Sequence, residues 1–113
     1  KVNGNIQGKS NSSVIVGSNV AVKGNVIDVT NLFVGGDNVL ITGDYEKKAS
    51  RLIIKEEGSL TVNGNIKFSE SLVMEKNAIL KIGGNLECPS TATTNIDSTA
   101  IINVTGNTIC LAL

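Results

Sequence analysis

Six glycines recur along this chain at nearly equal distances, and each sits inside the same short phrase. The phrase is clearest from Ser59 to Ile66, Ser-Leu-Thr-Val-Asn-Gly-Asn-Ile, and its glycines are Gly4, Gly24, Gly43, Gly64, Gly84 and Gly106, with steps of 20, 19, 21, 20 and 22 residues. A self-similar period near twenty marks a solenoid, in which each repeat buries its apolar face only against its neighbours. Within the phrase apolar and polar residues alternate, as in Leu60 and Val62 against Thr61 and Asn63. That is the period of a strand with one buried face; no stretch shows the 3.6-residue period of a helix. β-Branched residues and a glycine in every repeat also argue against helix.

The expectation is therefore an all-β fold. Residues 1–113 should form a single domain, a single-stranded, right-handed parallel β-helix of about five to six coils of about 20 residues. Stacked coils align the residues two before each glycine, Val2, Val22, Ile41, Val62, Ile82 and Val104, in one inward column. Two further columns are expected from Val20, Val39, Leu60, Leu80 and Ile102, and from Ile6, Val26, Tyr45, Ile66, Leu86 and Thr108. A second strand follows in each coil: Val14 and Val16, Leu32 and Val34, Leu52 and Ile54, Leu72 and Met74, and more weakly Thr94 and Ile96. The 113 residues are 41% apolar but only 3% aromatic, so the core must be aliphatic.

The glycines are expected to bend the chain through a positive φ between two short strands. Asn5, Asn25, Asp44, Asn65, Asn85 and Asn107 follow them and read as a stacked ladder, each side chain bonding its own backbone or the next coil. This role is structural rather than ligand-binding. Cys88 and Cys110 each lie four residues after their own glycine, so they should occupy equivalent places in adjacent coils, close enough for a disulfide. Phe68 holds the same place one coil earlier, which is also compatible with two small buried thiols. The segment Glu87 to Thr93 contains the one proline and is expected to be an irregular loop.

Chemistry is harder to find. Histidine is absent and there are two cysteines, which removes the usual zinc sites and any histidine-assisted nucleophile within the chain. No catalytic, cofactor-binding or metal-binding residue is assigned. Glu56, Glu57 and Asp37 are the acidic residues to weigh for glycoside cleavage, but they fall at turns in different coil positions. The aspartate-rich calcium repeat and an outward threonine array are both missing. Ten basic and ten acidic residues balance, leaving no electrostatic footprint for nucleic acid or an anionic membrane, and no run is long and apolar enough for membrane insertion. The basic cluster Lys47, Lys48 and Arg51, with Lys55 nearby, reads as a solvated loop that discourages lateral aggregation rather than a ligand site.

The stretch Arg51 to Leu86, with Leu-Ile-Ile-Lys-Glu-Glu-Gly-Ser-Leu-Thr-Val-Asn-Gly-Asn-Ile at its centre, resembles the glycine-asparagine repeats of bacterial surface proteins and adhesins built on β-solenoids. It is also similar to the coils of bactofilins, although these coils are longer and the cysteines and the polar segment Thr91 to Thr99 depart from that pattern. The first resemblance implies a non-enzymatic structural or adhesive module at the cell surface or outside the cell, with a host protein or glycan as ligand. The second implies a cytoplasmic scaffold that self-associates end to end. A fragment of a polysaccharide-active β-helix enzyme stands third. The chain begins without methionine, and Ile109, Leu111 and Leu113 carry an apolar alternation to its last residue, so flanking domains or coils of a longer parent are expected.

Overall fold

The computed structural model describes residues 1–9, 11–46 and 51–110, and among these every element is a strand. The first turn holds β1 (Val2–Asn3), β2 (Ile6–Gln7) and β3 (Ser13–Val16); the second β4 (Ala21–Lys23), β5 (Val26–Ile27) and β6 (Asn31–Val34). The third holds β7 (Val39–Ile41), β8 (Tyr45–Glu46) and β9 (Arg51–Ile54), and the fourth β10 (Ser59–Val62), β11 (Ile66–Lys67) and β12 (Ser71–Met74). The fifth holds β13 (Ile79–Ile82), β14 (Leu86–Cys88) and β15 (Thr93–Ile96), and β16 (Ile101–Val104) and β17 (Thr108–Cys110) open a sixth.

Strands at equivalent places in successive turns pair in parallel and build three sheets. Sheet A runs β1-β4-β7-β10-β13-β16, sheet B β2-β5-β8-β11-β14-β17, and sheet C β3-β6-β9-β12-β15. The chain is thus a parallel β-solenoid of about five turns, with close to twenty residues in each.

The registers follow the glycine phrase. Val2 pairs with Val22, Val22 with Ile41, Ile41 with Val62, Val62 with Ile82 and Ile82 with Val104, so the residues two before each glycine do form a column. Its four middle members are at most 2% exposed, whereas Val2 and Val104 at the two ends are half-buried. On sheet B the column Ile6, Val26, Tyr45, Ile66, Leu86 and Thr108 is likewise in register, but Thr108 is exposed on the outermost strand. Sheet C contributes Leu32, Leu52 and Leu72 beside Val34, Ile54 and Met74, all buried. Each such side chain removed from water is worth about 1.5–3 kcal/mol, and the mainly aliphatic stack also buries Tyr45 and Phe68, its two largest side chains, so the core is not purely aliphatic as the composition suggests.

Glu87 to Thr93 differs from the sequence expectation. Glu87 and Cys88 continue β14, and only Pro89 to Ala92 form the turn, closed by the Ala92 N–H donating to the Pro89 carbonyl at 3.2 Å. Pairing of β14 with both β11 and β17 holds the strand until proline, with no N–H to offer, ends it.

Candidate functional site

The corner between sheets A and B contains the residues that recur most strictly, and their hydrogen bonds explain why. Two successive N–H groups, from the glycine and from the residue after it, both point at the preceding coil. The glycine N–H finds the glycine carbonyl there: Gly43 donates to Gly24, Gly64 to Gly43, Gly84 to Gly64 and Gly106 to Gly84, each at 2.9 Å. No second main-chain carbonyl faces that way, because the carbonyl of the following residue in the preceding coil is turned away from it. The side chain supplies the missing acceptor. The Oδ1 atoms of Asn5, Asn25, Asn65 and Asn85 accept from the N–H of Asn25, Asp44, Asn85 and Asn107 at 2.8 Å, and Asp44 Oδ1 accepts from Asn65 at 2.7 Å. One oxygen does the whole task, so an aspartate serves in the third coil.

The glycines do not serve the purpose that the sequence suggests. Among the phrase glycines Gly4 alone has a positive φ, of 108°. In the later coils the constraint is closeness: a Cβ on Gly64 would meet the Asp44 carboxylate oxygen and the Gly43 carbonyl at under 3.0 Å, and one on Gly84 would meet Asn65 Oδ1 in the same way. The ladder side chain lies where a side chain on the next glycine would be. The ladder asparagines are not left-handed either. Positive φ values belong instead to Asn19, Asn38, Glu57 and Asn77 in the turns before sheet A, and to Asn11 and Asp28.

Those turns carry a second, looser polar stack. Asn38 Nδ2 donates to Asn19 Oδ1 at 2.9 Å, and Asn77 Nδ2 to Glu57 Oε1 at 2.8 Å. Glu57 is therefore an acceptor for its neighbouring coil, the Glu56 N–H donates to the Glu75 carboxylate, and the Asp37 N–H donates to Ser18 Oγ in the coil before it. Hydrogen bonds from the Thr99 hydroxyl and N–H hold the Asp97 carboxyl below its ordinary value. No group of three or more acidic or cysteine side chains converges on a metal-sized space among the described residues.

Cys88 and Cys110 face each other in the β14–β17 register, with Cα atoms 4.3 Å apart, and a disulfide joins them. Both are buried, in line with Phe68 one coil earlier. Ile109 between Thr108 and Cys110 points outward and is 55% exposed; Leu111 and Leu113 lie outside the described residues.

The outer face of sheet C is a surface to which the sequence expectation assigns no role. Ile15, Phe33, Ile53, Val73 and Asn95 stack in register on its outward side, and Ile15 is 78% exposed. Its signal was present in the sequence: Val14-Ile15-Val16, Leu32-Phe33-Val34, Leu52-Ile53-Ile54 and Leu72-Val73-Met74 are unbroken apolar runs, the pattern of strands covered on both faces. Arg51 and Lys55 of the expected basic cluster flank this strip, while Lys47 and Lys48 fall outside the described residues. Neither is a lone solvated charge. Arg51 pairs with Glu70 at 2.9 Å and Lys55 with Glu75 at 3.6 Å, bordering an open groove of about 730 Å³ that runs from Phe33 to Asn95. Sheet B, by contrast, presents the charged row Glu46, Lys67 and Glu87 outward.

No protein-family model, no curated protein and no solved structure matches this chain.

Proposed function

We propose that this chain is a non-enzymatic structural and adhesive module of a bacterial cell-surface or secreted protein, held between flanking coils or domains and offering its surface to a host protein or glycan. The observation that carries the reading is the use made of the recurrent polar residues. Asn5, Asn25, Asp44, Asn65 and Asn85 all spend their side-chain oxygen on the N–H of the next coil, which builds a rigid stack. The Cys88–Cys110 disulfide supports the location, since such bonds persist in oxidising compartments. Antibodies raised against the purified chain test it: labelling of intact cells of the source organism, abolished by external protease, is the expected result. Labelling only after permeabilisation contradicts it.

A second reading, a cytoplasmic scaffold polymerising end to end, is favoured by the polarity of the ladder. Each coil offers an acceptor on one side and an N–H on the other, a heterologous arrangement that propagates without closing. Filaments of the purified chain with a repeat of coil stacking, seen by electron microscopy, would support that reading over the first.

A further inference from the structure

The charges around the apolar strip of sheet C alternate by coil. Arg51 and Lys55 stand at the two ends of β9, and Glu70 and Glu75 at the two ends of β12, with Ile53 and Val73 between them. One coil is basic at both ends of its strand and the next is acidic at both ends. We propose that this face binds a second copy of the chain, face to face, about a two-fold axis that runs parallel to the strands midway between β9 and β12.

The charge pattern chooses that axis. Two in-plane two-fold axes keep the strands of the two copies aligned, one along the strands and one along the stack. An axis along the stack reverses each strand over itself, setting Arg51 over Lys55 and Glu70 over Glu75 of the second copy, like on like. An axis along the strands between β9 and β12 sets β9 over β12 of the second copy, so Arg51 meets Glu70 and Lys55 meets Glu75 four times over. Moving that axis one coil toward β6 would set Arg51 over Asn31 and leave the carboxylates without cations. Of these placements the central one is self-complementary, as an isologous contact must be.

The central apolar pair agrees with it. Ile53 falls on Val73 of the second copy, and Phe33, the largest outward side chain, falls on the smaller Asn95, while Ile15 lies past the overlap. The groove is bounded by Phe33 at one end and Asn95 at the other, so it is centred on the same axis. An apolar strip between two charged rows has the core-and-rim form of a protein interface. Four strands about 4.8 Å apart and five residues of about 3.3 Å outline a patch of roughly 300 Å² on each copy, roughly 600 Å² in all, which is below the size of stable dimers and fits a weak, reversible contact populated at high concentration.

Sedimentation velocity of the full chain from about 5 µM to 1 mM tests this, and the expected result is a monomer–dimer equilibrium with no larger species growing in. Ile53→Asp and the pair Arg51→Glu with Lys55→Glu should each weaken dimerisation at least about ten-fold. Adding Glu70→Arg and Glu75→Lys to that pair inverts the pattern and should restore the dimer to within about three-fold of the parent. All five positions lie on the outer face, and circular dichroism melts within a few degrees of the parent will show that each variant is folded. A chain that stays monomeric at about 1 mM overturns the proposal and leaves the face to a flanking segment or another partner. So does a dimer indifferent to Ile53→Asp, or a four-fold swap that fails to restore association while remaining folded.

Discussion

The glycine–asparagine corner and the outer face of sheet C are made by the same coils, yet they vary in opposite ways. At the corner each coil carries a glycine followed by Asn or Asp, because from the second coil on the preceding coil fills the space beside the glycine and its side-chain oxygen accepts from the next N–H. On the face the outward residue runs Ile15, Phe33, Ile53, Val73, Asn95, and nothing within the chain demands the order. Invariance inside one molecule thus marks where a coil is constrained by its neighbours. Variation between coils marks where the solenoid is free to be shaped by something outside it.

That contrast breaks most sharply under substitutions of a single residue type. Gly64→Ala should cost about 2–3 kcal/mol, since the added Cβ collides with the Asp44 carboxylate and the Gly43 carbonyl, neither of which can retreat without opening the corner. Gly17→Ala meets nothing within 4 Å and needs no left-handed backbone, so it should be neutral or stabilising by up to about 1 kcal/mol. Urea denaturation of the two variants side by side measures the difference.

Next in size is the ladder. Asn65→Ala removes the acceptor for the Asn85 N–H and should cost about 1–2 kcal/mol, while Asn65→Asp keeps the oxygen and should lose far less, as Asp44 already demonstrates in the third coil. Equal losses from the two would mean that the amide group, not the oxygen, is what matters. At the turns the sign reverses. Glu57 holds a left-handed φ of 63° at the place that Asn77 fills in the next coil, so Glu57→Asn should stabilise by about 0.5–1 kcal/mol, read as a rise in melting temperature. Smallest of all should be Ile15→Thr on the outer face, within about 0.5 kcal/mol of the parent in the same melts.

The sequence revealed the stack because a solenoid writes its register into its period: equal offsets from Gly24, Gly43, Gly64 and Gly84 sufficed to align Val22, Ile41, Val62 and Ile82. It also placed Cys88 beside Cys110 by the same counting. The purpose of the glycines was not legible, because the atom that forbids a Cβ on Gly64 belongs to Asp44, twenty residues away, and no property of the local phrase reports it. Ile15, Phe33, Ile53 and Val73 are legible as the middle residues of unbroken apolar runs. Attention to the alternation in Val14 and Val16 or Leu52 and Ile54 passes over the residue between, which in a half-exposed strand would be polar.

The corner's account rests on N–H groups that lie at the surface and yet are bound to the preceding coil. Residue-resolved amide exchange by NMR measures this directly. The Asp44, Asn65 and Asn85 N–H groups should exchange as slowly as those of the paired core residues Val62 and Ile82, opening only when neighbouring coils separate. Exchange of these three near the rate of an unstructured chain, with Val62 and Ile82 still protected, would show that the ladder does not hold the coils together.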